Sequence, residues 1–181
     1  HLMQRPGEQV GIAVTLKGLQ GSGKNSLTYM IRDMMGHKYY EEVATEEKLF
    51  GKFAEARKNR MIINLDEVNV SFRNKDVLKN MITSETYVHE QKGLQRVNMR
   101  SFARFIFTSN NEIPLPIEVG DRRMVVFETD DSIVNNVEYF ARFRKCATDP
   151  VNQRAFYEYL KAIDISAVDW IRDRPLTEDY M

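Results

Sequence analysis

The chain has 181 residues and a mass of 21.2 kDa, with 43% hydrophobic and 29% charged residues and only nine glycines and five prolines. This composition fits one folded domain with a full hydrophobic core, and it excludes collagen-like, low-complexity and largely disordered chains. The 26 basic and 26 acidic residues balance, so net charge alone predicts no polyanionic partner.

The single cysteine, Cys146, excludes a disulfide framework and a cysteine-based zinc site, and it favours a reducing, cytoplasmic compartment. No apolar run approaches the ~18 residues of a membrane span, so we expect no membrane partner. The first three residues are typical of a cloning remnant and predict a piece of a longer protein. We expect residues 1–9 to be this remnant and a lead-in, residues 10–130 to form the core, and residues 131–181 to form a helical segment packed on it.

The hydrophobic pattern predicts strands that alternate with helices along the chain. The predicted elements are, in chain order, a strand at 10–16, a helix at 25–35, a helix at 46–58 capped by Thr45, a strand at 61–65, a short helix from a cap at Asn74 to residue 82, a hairpin at 86–91 and 94–99, strands at 103–108 and 124–127, and helical sequence from residue 132 with a break near residue 149. This alternation favours a three-layer α/β fold with a mainly parallel sheet.

The first predicted strand is followed by a glycine-rich stretch, Gly18-Leu19-Gln20-Gly21-Ser22-Gly23-Lys24, and then by a helix. It matches the G-x-x-x-x-G-K pattern, in which backbone N–H groups and a helix N-terminus surround a phosphate and the lysine reaches the β- and γ-phosphates. We expect eight residues of this segment to bind ATP in this way: Gly18, Gln20, Gly21, Ser22, Gly23, Lys24, Asn25 and Ser26. The alternative is a glycine turn with a solvated lysine.

The residue after the lysine departs from the pattern, because Asn25 stands where Ser or Thr usually binds Mg²⁺. An amide oxygen can bind Mg²⁺ or one of its waters, and the neighbouring Ser26 carries a hydroxyl. Nucleotide binding is therefore still expected, and the sequence leaves open whether Asn25 or Ser26 faces the metal.

Polar residues also end the next two apolar strands. Asp66 and Glu67 follow residues 61–65, and at the carboxyl end of a central strand they would lie beside the glycine-rich stretch. We expect Asp66 to bind Mg²⁺ and Glu67 to be the general base for the attacking water. Asn110 is expected to bond the γ-phosphate or that water from the other side. The alternatives are a strand that simply enters solvent and an asparagine that only forms a turn.

Two arginines, Arg122 and Arg123, precede the last predicted strand. Either could project across a subunit boundary and stabilise charge on a neighbour's γ-phosphate, as an arginine finger does. The alternative is an ion pair within the chain, with Asp121 or Glu118.

The predicted hairpin is basic, since no acidic residue occurs between residues 91 and 111 while four positive charges do: Lys92, Arg96, Arg100 and Arg104. Lys92 lies at the predicted turn, where it would hold a DNA phosphate without base specificity. Tyr87 or His89 on the adjoining strand would contact a base or sugar. The alternative is a solvent-exposed lysine that serves solubility.

Together, the glycine-rich stretch, the polar residues at the strand ends, the two arginines and the basic hairpin resemble the superfamily 3 helicases. More narrowly, they resemble the primase-helicases of phages and mobile elements, a group that contains poxvirus-type primase-helicases and phage primase-polymerases. The resemblance runs from about residue 10 to the C-terminus. It is most specific over residues 18–24, 62–67, 90–93, 107–112 and 121–128.

The resemblance implies an AAA+-like P-loop core with a five-stranded sheet, assembled as a hexameric ring around single-stranded DNA. It assigns residues 18–24 to Walker A, Asp66 and Glu67 to Walker B, Asn110 to the motif C sensor, Arg123 to the trans arginine finger, and Lys92 to the DNA-gripping lysine.

The implied function is an ATP- and Mg²⁺-dependent DNA helicase motor of a viral or mobile-element replication protein, in the host cytoplasm, with a fused or partner primase or polymerase. The helical domain that usually precedes such a core, and any primase or polymerase motif, are not visible in the sequence. Two alternatives stay open: an ATP-dependent initiator or loader, and a nucleotide-binding oligomerisation module without turnover, which Asn25 motivates.

Overall fold

Strands and helices alternate in the computed structural model, which describes residues 1–51, 56–90, 95–111 and 121–170. The strands are β1 (Ala13–Lys17), β2 (Tyr40–Val43), β3 (Ile62–Asp66), β4 (Thr86–His89), β5 (Val97–Arg100), β6 (Arg104–Ser109) and β7 (Met124–Glu128). The helices are α1 (Lys24–Met35), α2 (Glu46–Phe50), α3 (Lys75–Thr83), α4 (Val137–Ala147) and α5 (Pro150–Ala162). One-turn 3₁₀ helices lie at His37–Tyr39, Phe72–Asn74 and Asp131–Ile133.

The central sheet has five strands in the order β2-β3-β6-β1-β7, and all four pairings are parallel. One face carries Ile63 and Phe105, which cluster with Leu78 of α3. The opposite face lies against α1, where the Tyr40 hydroxyl donates to Thr28 Oγ1 at 3.4 Å. Helices therefore cover both faces, and the predicted α/β fold with a mainly parallel five-stranded sheet is confirmed.

Strand β2 was not predicted, because two glutamates interrupt its apolar pattern. It is an edge strand, and only its ends, Tyr40 and Val43, are buried. Glu41 forms ion pairs with Lys48 at 2.6 Å and with Arg60 at 2.9 Å. Charged residues are well tolerated at an edge, so the sequence signal of such a strand is weak.

The helices at the two predicted caps differ in detail from expectation. Thr45 caps α2 as predicted, since Lys48 N donates to its Oγ1 at 3.4 Å, but the helix ends at Phe50 and residues 56–59 form turns. Residues 52–55 of the predicted helix lie outside the described ranges. Helix α3 begins after Asn74 as predicted, but the Asn74 side chain does not cap it and donates instead to Glu46 Oε1 at 2.9 Å.

The hairpin of β4 and β5 is antiparallel as predicted, although shorter, with Thr86 opposite Arg100 and His89 opposite Val97. The second strand is Val97–Arg100, and residues 91 and 94 of the predicted strands lie outside the described residues. Just before it, Arg96 Nε forms an ion pair with Glu90 at 2.9 Å. This pair joins the two chain segments beyond the last strand residues.

The amino-terminal segment is held by Arg104, one of the four positive charges of the basic hairpin region in the sequence. Its guanidinium donates to the carbonyl oxygens of Arg5 at 2.9 Å, Pro6 at 3.1 Å and Glu8. Burial lowers the pKa of Arg104 to about 10. Arg104 therefore binds backbone within its own chain, and the structure does not place it for contact with DNA.

Replacing Arg104 with methionine should lower the free energy of unfolding by about 1–3 kcal/mol, because several carbonyl oxygens lose a charged donor. Urea unfolding measures the change. Arg96→Met is the matched control: the Arg96 side chain is 68% exposed and pairs only at the surface, so its loss should cost less than about 1 kcal/mol. Equal losses in the two variants would show that the Arg104 contacts contribute nothing to folding.

Among the residues that the structure describes, no helix combines the length and apolar character needed to cross a bilayer.

Candidate active site

The glycine-rich loop, residues 18–23, joins the carboxyl end of β1 to the first turn of α1. Gly21 and Gly23 have φ values of 86° and 89°, in the left-handed region that residues with a Cβ atom rarely adopt. The backbone can therefore curl around the amino end of α1, where the first N–H groups lack helical partners and carry partial positive charge. We call this loop, together with Lys24, the cradle.

The cradle opens on a cavity of about 350 Å³. All of its lining residues are predicted site residues: Gln20, Gly21, Gly23, Lys24, Asn25, Ser26, Asp66, Glu67 and Asn110. Two other expected members do not line it: Gly18, and Ser22, which is buried with its Oγ accepting from Thr129 Oγ1 at 2.7 Å. The volume lies in the range of about 300–1,000 Å³ that is usual for small-molecule sites.

The order of the strands explains why these residues meet. Strand β6 lies between β1 and β3, with Ser109 level with Lys17 and Thr108 level with Asp66. All three strands are parallel, so their carboxyl ends share one edge of the sheet. Asn110 therefore emerges between the cradle and the acidic pair, at the kind of position where α/β sheets bind ligands.

Lys24 lies at the base of the cavity, with only 8% of its surface exposed. Its Nζ donates to Gly18 O at 2.7 Å, to Leu19 O at 3.0 Å and to Asn110 Oδ1 at 2.7 Å. Burial lowers the pKa of Lys24, and the nearby carboxylates of Glu67 and Asp66 act in the opposite direction. The partly desolvated ammonium group of Lys24 therefore lies beside the cavity, which makes the cavity suitable for a multiply charged anion.

Asn25 and Asp66 meet across the cavity. Asn25 Nδ2 donates to Asp66 Oδ1 at 3.0 Å, and Thr108 Oγ1 donates to the same oxygen at 2.7 Å. Asn25 Oδ1 is buried, and among the residues that the structure describes no donor reaches it. A buried carbonyl oxygen without a donor is costly, so this atom is suited to a cation.

The donor chemistry of this pair fits Mg²⁺, which takes oxygen ligands and is usually held by one or two carboxylates together with water and phosphate oxygens. Within the described part of the chain no three His, Cys, Asp or Glu side chains cluster in a metal cage, which such a site does not require. Asn25, and not Ser26, is the residue whose side chain bonds Asp66, so a cation bound by Asp66 would lie beside Asn25.

Glu67 has a strained backbone, with a φ of 54° in the left-handed region. Its N–H donates to Thr108 O at 2.9 Å, and its exposed side chain accepts from Asn110 N–H through Oε2 at 3.1 Å. Strain of this kind costs on the order of 1 kcal/mol and occurs often at functional sites. Glu67 lines the cavity, where a carboxylate can accept a proton from a water molecule.

Arg123 lies at the amino ends of the parallel strands, opposite the carboxyl ends that carry the cradle. Met124 is level with Ala13 at the start of β1, whereas the cradle follows the end of β1, about 16 Å farther along the strand direction. Arg123 Nη1 donates to Asp121 Oδ1 at 3.0 Å, and Lys79 contacts the other carboxylate oxygen at 3.1 Å. The ion pair within the chain is thus formed, and Arg123 cannot reach the cradle of its own chain. Arg122 is exposed beside it.

Of the residues predicted to contact DNA on the hairpin of β4 and β5, the structure describes Tyr87 and His89 but not Lys92. Lys92 lies outside the described residues, so its place on the hairpin stays a prediction. His89 is 7% exposed and packs edge-to-face against the buried Tyr87 ring, while Thr86 and Val88 on the other face of β4 are exposed. The expectation that His89 or Tyr87 contacts a base or sugar is therefore corrected, because both rings face the interior.

Two threonines at the site were missed from the sequence. Thr108 fixes the Asp66 carboxylate, and Thr129 bonds Ser22 within the cradle. Each follows or ends an apolar strand, as Asp66 and Asn110 do. The signal was present in the sequence: any polar residue at the carboxyl end of a predicted parallel strand, and not only an acidic or amide residue, was a candidate for the site.

Comparisons with known proteins find a matching family and a similar phage protein. Residues 16–123 match a family described as a family of unknown function, DUF5906. A DNA primase-polymerase of Nitratiruptor phage NrS-1 is 30% identical over 178 residues, which cover 86% of this chain and 25% of that protein. The chain thus spans about a quarter of the length of this curated relative.

Solved structures show the same relation. An apo structure of the NrS-1 C-terminal region is 27% identical with a TM-score of 0.79, and covers 96% of this chain and 42% of its own. An A-form apo structure of that region is also 27% identical, with a TM-score of 0.80 and coverage of 98% and 42%. This chain is therefore related in sequence and fold to part of the NrS-1 C-terminal region.

Proposed function

The chain belongs to the DUF5906 family, and from its similarity to part of a phage DNA primase-polymerase and from the site geometry we propose that it is the ATPase motor of a phage-type DNA replication protein. The observation that carries the proposal is the convergence of Lys24, Asp66, Glu67 and Asn110 on one cavity beside a glycine-rich loop. We propose an AAA+-like P-loop fold of the superfamily 3 type. The supporting feature is the strand order, in which β6, the strand before Asn110, lies between β1, which precedes the cradle, and β3, which ends at Asp66.

In this proposal the phosphates of ATP lie in the cradle, against the loop N–H groups and Lys24. Asn25 and Asp66 would hold Mg²⁺, which would supply positive charge to neutralise the phosphates. Glu67 accepts a proton from water as the water oxygen bonds the γ-phosphorus. The bond from that phosphorus to the β–γ bridging oxygen breaks, which yields ADP and phosphate. Asn110 orients the water and the γ-phosphate from the other side.

The relative is named for DNA priming and polymerisation, and this chain spans a quarter of it. We propose that synthesis belongs to a fused or partner domain, while this chain couples ATP hydrolysis to movement on single-stranded DNA in a homo-oligomeric, hexameric ring. Lys92 would hold the DNA backbone in this ring. The proposed compartment is the cytoplasm of the host cell.

The test of the proposal is phosphate release from Mg²⁺-ATP by the purified chain, with and without single-stranded DNA. Strand displacement is then measured with the full-length protein that contains this chain. We expect turnover that DNA stimulates. Binding of ATP without turnover would instead support an oligomerisation module. Stimulated turnover without displacement by the full-length protein would support an initiator or loader.

The metal site can be tested through Asn25. Asn25→Leu, which keeps the side-chain shape but removes both polar groups, should raise the Mg²⁺ concentration for half-maximal turnover at least about tenfold, since a metal ligand and the Asp66 bond are lost. Asn25→Ser should stay within about threefold of the parent, because a hydroxyl can donate to Asp66 and still bind the metal. Ser26→Ala is the matched control. A shift in that control, with none in Asn25→Leu, would assign the metal contact to Ser26.

The proposed finger can be tested by mixing subunits. Arg123→Ala should leave the ATP affinity of a monomer within about twofold and lower turnover of the assembled protein at least tenfold, because the arginine would act on a neighbour's γ-phosphate. Mixed with Lys24→Ala it should regain part of the turnover, since some interfaces then contain both intact halves. Arg122→Ala is the control for the neighbouring charge. If turnover does not recover in a mixture shown to co-assemble, Arg123 does not act on a neighbour's site, and its role is the ion pair with Asp121 of its own chain.

A further inference from the structure

One segment of the chain, residues 129–140, covers the outer side of the cradle, and we call it the strap. A Cβ atom placed on Gly18 would overlap the Thr129 hydroxyl, one on Gly21 would overlap Asn135 Oδ1, and one on Gly23 would overlap the Phe140 ring. The three loop glycines therefore face three residues of a single segment. Close approach of the strap, and not only the curvature of the loop, requires the absence of side chains there.

Hydrogen bonds fix this contact at two points. Thr129 Oγ1 donates to the buried Ser22 Oγ at 2.7 Å, and Asn135 N donates to Gly21 O at 3.2 Å. On the inner side of the same loop, Lys24 Nζ donates to the Gly18 and Leu19 carbonyl oxygens. The loop backbone is thus held between Lys24 and the strap.

The strap itself is anchored at both ends. It continues β7, where Lys17 and Glu128 form an ion pair at 3.1 Å and Thr129 N donates to Lys17 O at 2.9 Å. It ends in α4, whose first turn Asn136 caps by accepting from Tyr139 N at 2.9 Å. Between these anchors Asn135 adopts a left-handed φ of 57°, which turns its backbone N–H towards Gly21.

We propose that the strap is a positioning element for phosphate binding, which holds the cradle in shape and links it to the helices α4 and α5. Thr129, Asn135 and Phe140 act through the loop and do not touch the nucleotide. Because Phe140 lies on α4, displacement of that helix would move its ring away from Gly23 and loosen the loop. The link to phosphate binding rests on the proposed ATPase function, whereas the mechanical contact does not.

Amide hydrogen exchange tests the mechanical contact without any nucleotide. Thr129→Val keeps the side-chain shape but removes the hydroxyl donor, and it should speed exchange of the loop amides, residues 18–24, about fivefold or more, as expected for one lost hydrogen bond. Thr129→Ser restores the hydroxyl and should return the rate to near the parent value. Phe140→Leu is a second, independent perturbation with the same expected direction. Amides of α3, at the far face of the sheet, should not change.

Loop exchange that is unchanged in both Thr129→Val and Phe140→Leu, or that rises equally in α3, would overturn the strap as a specific support. The same samples with Mg²⁺-ATP separate the two proposals. We expect ATP to slow loop exchange in the parent, and its dissociation constant to rise about five- to twentyfold in Thr129→Val with recovery in Thr129→Ser. A parent that binds no ATP would overturn the proposed function and leave the exchange result on the strap standing. An unchanged dissociation constant beside faster loop exchange would overturn the link to phosphate binding.

Discussion

Lys24→Ala will abolish ATP hydrolysis and weaken ATP binding about 10- to 100-fold, because the phosphates lose the cation at the base of the cavity. A hydrogen bond to a charged group contributes about 1.5–3 kcal/mol, and Lys24 is the cation that lines this cavity in the described part of the chain. The substitution also frees Asn110 Oδ1, which accepts from Lys24 Nζ at 2.7 Å. The sensor side chain is therefore expected to lose its orientation together with the charge.

Titration with a fluorescent ATP analogue and phosphate release measure the two effects of Lys24→Ala separately. Lys24→Met fills the space of the side chain without its charge and should behave in the same way, which separates charge from packing. Lys38→Ala removes an exposed lysine from the short turn after α1 and serves as the surface control. Turnover near the parent value in Lys24→Met would refute the phosphate-binding role of the cradle.

Glu67→Gln will stop turnover while ATP stays bound. The general base is expected to contribute about 10²- to 10⁴-fold to the rate, and the amide cannot accept the proton of the attacking water. The Gln side chain retains an oxygen that can accept from Asn110 N–H, as Glu67 Oε2 does at 3.1 Å. Asn25 and Asp66 keep their contact, so the dissociation constant for Mg²⁺-ATP should change less than about threefold.

Single-turnover phosphate release and equilibrium binding give the two readouts for Glu67→Gln. Glu67→Gly is an informative companion, because glycine adopts the φ of 54° without strain and should leave the protein as stable or slightly more stable while inactive. Loss of ATP binding together with turnover in Glu67→Gln would mean that Glu67 supports the fold of the cavity rather than the chemistry.

Most of the sheet could be predicted because its strands carry local patterns. The runs that became β1, β3, β6 and β7 are apolar, and the glycine-rich loop fixes which end of β1 adjoins α1. The cavity followed from a non-local rule with a simple basis, namely that parallel strands bring their carboxyl ends to one edge. Among the strands that the structure describes, only β2 was not predicted. Two glutamates interrupt its apolar pattern, and one of them, Glu41, forms ion pairs with Lys48 and Arg60 from elsewhere in the chain.

Side-chain environments could not be predicted as well. In β4 both alternating faces carry residues that suit either a core or a surface, so only packing decided that Tyr87 and His89 are buried while Val88 is exposed. Arg104 looks like a surface charge in sequence, and its partners are backbone carbonyls about a hundred residues away. Contacts of this kind leave no local pattern.

The separation of Arg123 from the cradle along the strands has a consequence for assembly. Under the proposed function, the cradle lies at the carboxyl end of the strands and the arginine for a neighbour's cradle lies at their amino end. Copies would then join head to tail through two different surfaces rather than through one self-complementary patch. An open row of such copies always leaves one cradle without an arginine, whereas a closed ring completes every one. Under the proposed function, closure of the ring would therefore raise the number of competent sites by one whole site at its final step.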